Sequence, residues 1–232
     1  MRMRAFIIGY SMALVMFLLS QHRTVSAEAP AFRRTVDLTR LTLTLDTTTL
    51  GTTTLNAAQS VTRQATRIEA PGRIVPGLWT VDQIPVQRLR APLVVLNVTQ
   101  LVAANPNYQI RVEDIAAWEV EHGDIPFGAV VIARTGWQPE TSRGRSPRFS
   151  TDAVQFLVEG RAVVGLGTDG PSVEEHRGSA NAGHTFAARH SVYQLDNVNL
   201  KSVPDSGGVV FISPSGVSGS LQSGTRVLAM VM

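Results

Sequence analysis

Pro92-Leu93-Val94-Val95-Leu96-Asn97-Val98 is a continuous apolar run closed by turn formers, the pattern of a strand covered on both faces. Downstream, Val112-Glu113-Asp114-Ile115-Ala116-Ala117-Trp118-Glu119-Val120 spaces its apolar residues as a helix does, and His122-Gly123 closes it. Gly128-Ala129-Val130-Val131-Ile132-Ala133-Arg134-Thr135-Gly136-Trp137 is a second buried strand. Strand, helix and strand in this order predict an α/β unit.

The alternation continues toward the C-terminus. Ser150 to Glu159 reads as a helix with Ser150 as N-cap. Ala162 to Asp169 is a third buried strand ending in a polar turn, where α/β proteins place their sites. His184 to His190 is a helix candidate, and Val192 to Leu195, Gly208 to Ser213 and Thr225 to Val231 are strands. Gln138 to Arg148, rich in Arg, Ser, Gly and Pro, predicts an exposed loop. Toward the N-terminus, Thr42 to Leu45 alternates as a strand, Asp46 to Thr54 reads as loop, and Asn56 to Arg67 fits helix or strand equally. The expected architecture is one α/β domain over residues 28–232.

Met1 to Ala27 stands apart. Arg2 and Arg4 precede the apolar run Ala5 to Ser20, and Val25-Ser26-Ala27 resembles a cleavage site. The segment reads as a signal peptide, which implies export to a periplasm or beyond, and the run is short for a membrane span, which needs roughly 20 residues. Without it, the 21 basic residues fall by three to 18, equal to the 18 acidic ones. A formally neutral chain with no dense basic stripe does not suggest a nucleic-acid partner. Cysteine is absent, which excludes disulfides and thiolate metal sites. Gly165-Leu166-Gly167 lacks the third glycine of a dinucleotide fingerprint, and Ser172 lacks a nucleophile-elbow context.

The chemistry concentrates in Arg63-Gln64-Ala65-Thr66-Arg67-Ile68-Glu69-Ala70-Pro71-Gly72-Arg73, followed by Trp79-Thr80-Val81-Asp82-Gln83-Ile84-Pro85. Polar groups at the first, fifth, seventh and eleventh places have the spacing of a metal motif. Three of them are guanidiniums, which stay protonated and offer no lone pair.

These pieces, with Asp37-Leu38-Thr39, Arg134-Thr135-Gly136-Trp137, Gly165-Leu166-Gly167-Thr168-Asp169 and Tyr193-Gln194-Leu195-Asp196-Asn197-Val198-Asn199-Leu200, resemble the cyclase family that includes bacterial kynurenine formamidases and isatin hydrolases. The resemblance implies a compact α/β fold around a mixed, barrel-like β-sheet flanked by helices. It also implies a homodimer or larger homo-oligomer, one or two zinc or manganese ions, and arylformamidase-like hydrolysis of an amide C–N bond other than a peptide bond. The family motif H-x-G-T-H-x-D-x-P-x-H falls on Arg63, Ala65, Thr66, Arg67, Glu69, Pro71 and Arg73. Arginine thus stands at both His-ligand positions, Arg63 and Arg67, and at the catalytic His position, Arg73. The later His and Glu ligands fall on His184 and Asp196, and Arg40 holds a fourth histidine position.

The remaining donors are Glu69, His184 and Asp196, with His184 the best remnant of a catalytic group. Guanidiniums beside them repel a divalent ion, so the resemblance implies zinc or manganese as cofactor while local chemistry leaves open that there is none. Two readings of Arg63, Arg67 and Arg73 stay open. They bind a small carboxylate or other anion, with Trp79 lining the pocket, or they pair with Glu69, Asp82, Asp169 or Asp196 as a structural cross-link in place of metal. The ligand expected is a small amide or carboxylate. His122, His176 and His190 are expected in solvated turns or helix ends.

Overall fold

The computed structural model describes residues 32–40, 65–138, 147–171 and 182–232. The leader, the strand expected at Thr42 to Leu45, and Arg63, Ser172 and His176 lie outside the described residues. In chain order the elements are β1 (Arg34–Asp37), β2 (Arg67–Glu69), α1 (Pro71–Ile74), β3 (Arg90–Asn97), α2 (Thr99–Ala104), β4 (Gln109–Ile110), α3 (Val112–His122), β5 (Val130–Arg134), β6 (Arg148–Phe149), α4 (Thr151–Gln155), β7 (Gly165–Thr168), α5 (Ala182–Arg189), β8 (Tyr193–Asp196), β9 (Gly208–Pro214) and β10 (Gln222–Val231). Among the described residues no helix is long and apolar enough to cross a membrane.

Strand order β10-β2-β8-β7-β5-β3-β9, with β9 pairing back onto β10, closes a seven-stranded barrel, and β1 extends β10. The β3, β5, β7 and β8 pairings are parallel, and the other barrel pairings are antiparallel. Closure removes the exposed sheet edges that an open array of these apolar strands would present.

Two apolar layers follow from the two-residue alternation of the strands. Leu93, Val95, Val130, Ile132, Leu195, Val210 and Val227 fill the barrel interior. Their neighbours Val94, Leu96, Val131, Ala133 and Leu166 point outward and are covered by Ile115 and Trp118 of α3, Ala153 and Val154 of α4 and Ala187 of α5. Strands buried on both faces therefore read as unbroken apolar runs. Strand β7 turns only glycines inward. A Cβ on Gly165 would lie 2.5 Å from the Tyr193 ring, and one on Gly167 would lie 2.9 Å from the Leu195 carbonyl oxygen. The Gly165-Leu166-Gly167 pattern thus makes room for β8 rather than for a phosphate.

The helix expected from Val112 runs to His122 and stops at Gly123, whose φ of 86° is the left-handed conformation glycine tolerates. Ser150 caps α4 by accepting a hydrogen bond from Ala153 N, and the helix continues into a π-helical turn over Phe156–Gly160. One expectation is corrected at the end of the Gln138 to Arg148 segment. Pro147 is buried, and Arg148 enters a two-residue parallel ladder with β4. Turn-rich composition hid a strand too short to show alternation. His122 is corrected too. Its side chain is 20% exposed and its ring lies 4.8 Å from that of Trp118, so packing replaces solvation.

On the outside of α3, Arg161 grips Glu119 with both Nε and Nη2, while Ile125 N donates to the same carboxylate. The Arg161 hydrogen bonds hold the Glu119 carboxyl below its ordinary value of 4.5. A carboxyl lowered by folding stabilises the fold above its unfolded value, and that contribution is lost as pH falls through the folded value. Urea titrations of the wild type and Glu119→Gln should therefore differ at neutral pH and converge as pH drops below 4.5. A gap that stays constant as pH falls well below 4.5 would mean that the carboxylate charge contributes nothing.

Candidate active site

Strands β2 and β8 run antiparallel, with Arg67 opposite Asp196 and Glu69 opposite Gln194. Ile68 and Leu195 belong to the barrel interior, so alternation places the four polar side chains together on the outer face. The sequence Ala70-Pro71-Gly72 then reverses the chain. Pro71 opens α1 at a position where its missing N–H costs nothing. Gly72 N donates to the Trp79 carbonyl at 2.8 Å, and a Cβ there would lie 2.7 Å from the Leu78 carbonyl oxygen. This close approach returns Arg73 to Glu69, four residues back.

The result is a compact array of charges. Arg67 Nη2 donates to Asp196 Oδ2 at 3.1 Å and lies 3.9 Å from Glu69 Oε1, and Arg73 Nε lies 3.3 Å from the same Glu69 oxygen. The Glu69 and Asp196 side chains are 1% and 3% exposed. Buried carboxylates of this kind need matched cations. Arg67 and Arg73 supply cations for them, and among the described residues these pairings with Glu69 and Asp196, of those open from the sequence, are formed. Asp82 instead accepts from Thr80 Oγ1 at 2.6 Å and Gly219 N at 3.0 Å. Asp169 accepts from Thr135 Oγ1, Thr135 N and Gly136 N. Burial raises the Asp169 carboxyl above its ordinary value against the pull of those hydrogen bonds.

The other motif pieces converge around the same strand pair. Thr66 Oγ1 accepts from Arg40 N at 2.6 Å and donates to the Asn197 carbonyl at 2.8 Å, and Asn197 Nδ2 donates to the Ala65 carbonyl at 3.1 Å. Asn199 N donates to the Leu38 carbonyl. The Arg40 guanidinium donates to the Asp169 carbonyl at 3.1 Å and lies over the Trp137 ring. Segments distant in sequence therefore hold β2 and β8 in register.

Beside β8 is a cavity, partly open to solvent, lined by His184 of α5 together with Asp196, Gln194, Thr168 and Arg148. Ala133, Phe149, Val154 and Leu166 form apolar wall. Trp79 is not among the lining residues and lies beneath the Arg88 guanidinium, 5.4 Å from ring centre to Cζ. The structure thus brings Arg67, Glu69, Arg73 and Asp196 together and sets His184 on the cavity that Asp196 also lines, while Arg63 is outside the described residues. Sequence reasoning missed Arg148, Thr168 and Gln194. Gln194 could have been found from its two-residue spacing to Asp196, which puts both on one face of a strand.

These residues do not fit a catalytic divalent ion. Arg67 brings a positive, lone-pair-free group to hydrogen-bonding distance of Asp196. Among the described residues no group of three or more His, Cys, Asp or Glu could hold a metal.

Residues 19–175 match the Cyclase family model ("Putative cyclase"). The chain belongs to that family. The match begins within the segment read as a leader. An isatin hydrolase of Roseibium aggregatum is 28% identical over 168 residues, which are 65% of this chain and 63% of that protein. The sequence match thus spans less than two thirds of the curated relative. The structure of isatin hydrolase A from Labrenzia aggregata, bound to benzyl benzoate, superposes with a TM-score of 0.70 at 27% identity over 91% of this chain and 99% of that one. A structure described as a potential metal-dependent hydrolase with cyclase activity shares the fold, with a TM-score of 0.61 at 20% identity over 84% of this chain and 96% of that one.

Proposed function

We propose that this cyclase-family chain carries a hydrolase fold in which a guanidinium replaces the catalytic metal, so that metal-dependent hydrolysis of amide C–N bonds is impaired. The observation that carries this reading is Arg67, held 3.1 Å from Asp196 and 3.9 Å from Glu69. Where relatives described as metal-dependent hydrolases need a group that polarises an amide carbonyl and supplies hydroxide, this chain has a hydrogen-bond donor that holds its proton. Arg67 can orient an oxygen of a bound molecule but cannot lower the pKa of a water as a metal does. His184 lines the cavity and is the group placed to move a proton there.

Likeness to isatin hydrolases supports a small amide or its carboxylate product as the ligand class. The basic and apolar leader supports export, and the family resemblance supports a homo-oligomer. Anion binding by Arg63, Arg67 and Arg73 is the weaker reading, because Arg67 and Arg73 already face Glu69 and Asp196.

Elemental analysis of protein purified without chelator, with an amidase assay on the same sample, tests the proposal. The expected outcome is far less than one transition metal ion per chain and no turnover of an aryl formamide or isatin. A stoichiometric metal that disappears in His184→Ala would restore the metallohydrolase reading.

A further inference from the structure

We infer that Arg148 anchors the carboxylate of a small aromatic acid in the cavity beside β8. This deepens the proposed function and rests on its premise that Arg67, not a metal, neutralises Asp196. Arg67, Arg73, Arg134 and Arg161 each face a carboxylate. Arg148 differs. It lines the cavity, and its Nη1 is shielded from solvent with no hydrogen-bond acceptor among the described residues.

Its placement comes from the backbone. The β4–β6 ladder sets Arg148 opposite Gln109 and Phe149 opposite the fully buried Ile110, and Ser150 N closes the ladder on the Ile110 carbonyl at 2.8 Å. The ladder fixes the backbone from which Arg148 projects before a ligand arrives, which lowers the ordering cost of binding. Among the described residues the other ionisable groups on the cavity are His184 and Asp196, and Asp196 already pairs with Arg67. Arg148 therefore supplies a cationic fork suited to bidentate recognition of a carboxylate. Phe149, Val154, Leu166 and Ala133 offer an apolar wall to a ring, and apolar surface with a few placed polar groups is the general form of a small-molecule site.

The test uses calorimetric titration of the full chain, treated with chelator, with benzoate and with benzamide, the uncharged compound of the same ring. Saturable benzoate binding is expected, with benzamide weaker by roughly tenfold or more, and Arg148→Gln should weaken benzoate by a similar factor while leaving benzamide unchanged. Arg148→Lys, which keeps the charge and loses the fork, should fall between them, and it carries the test if Arg148→Gln does not fold. Absence of saturable benzoate binding, equal affinity for the two probes, or benzoate affinity unchanged in both variants overturns the inference. Benzoate binding that requires added zinc or manganese but still weakens in Arg148→Gln supports Arg148 and overturns the reading of Arg67.

Discussion

Replacing Arg67 by methionine is expected to lower the free energy of unfolding by about 3–5 kcal/mol, the usual cost of removing one partner from a buried ion pair. Methionine keeps an unbranched apolar stem, so the loss reports mainly on the charge and hydrogen bonds of the guanidinium. Asp196 would then lose the guanidinium 3.1 Å away, and Glu69, 1% exposed, would keep its ion pair with Arg73. Arg73→Met should cost much less, about 1 kcal/mol, because the Arg73 side chain is 34% exposed and solvent screens its interaction with Glu69. Urea unfolding of both variants at neutral pH measures the contrast. Equal and small losses would show that Arg67 does not carry the charge balance of the site.

That asymmetry also explains what the sequence made legible. Strands β3, β5 and β7 are embedded between the barrel interior and the covering helices, so Val94 and Val95 are both buried although they point to opposite faces. Continuous apolar runs were a sufficient signal. Strand β2 gave none, because its three residues place buried or partly buried charge on either side of Ile68, reversing the usual apolar-in, polar-out pattern. Hydropathy reads such a segment as loop. Only the spacing of its charges, and their likeness to a metal motif, marked it as a site. The pairing of Arg67 with Asp196 is a matter of cross-strand register between segments 129 residues apart, and register is set by closure of the whole barrel. Arg148 had no signal at all. In sequence it is one arginine in a turn-rich stretch, and its position depends on a two-residue ladder with Gln109 and Ile110.

The same charge count predicts how the site can be converted. Two guanidiniums carry a formal charge of +2, equal to that of a zinc or manganese ion, and both states leave Glu69 and Asp196 balanced. Replacing Arg63, Arg67 and Arg73 together by histidine removes three guanidiniums and adds lone-pair donors at the family's two His-ligand positions and its catalytic His position, to join Glu69, His184 and Asp196. The triple variant is expected to bind about one zinc ion per chain with a Kd on the order of micromolar or tighter. It should be destabilised without metal, since the two buried carboxylates then lose Arg67 and Arg73, and recover when zinc is added. Saturation at about 100 times Kd returns about 2.7 kcal/mol. Elemental analysis after dialysis, with urea unfolding at several zinc concentrations, reads both effects. His184→Ala in that background should weaken zinc binding, because it removes an imidazole donor that the new ligand set needs. A triple variant that folds, binds no zinc and shows no zinc-dependent stability would mean that the arginines are not the sole barrier, and that the backbone of β2 and β8 no longer holds the ligand positions in a metal-binding arrangement.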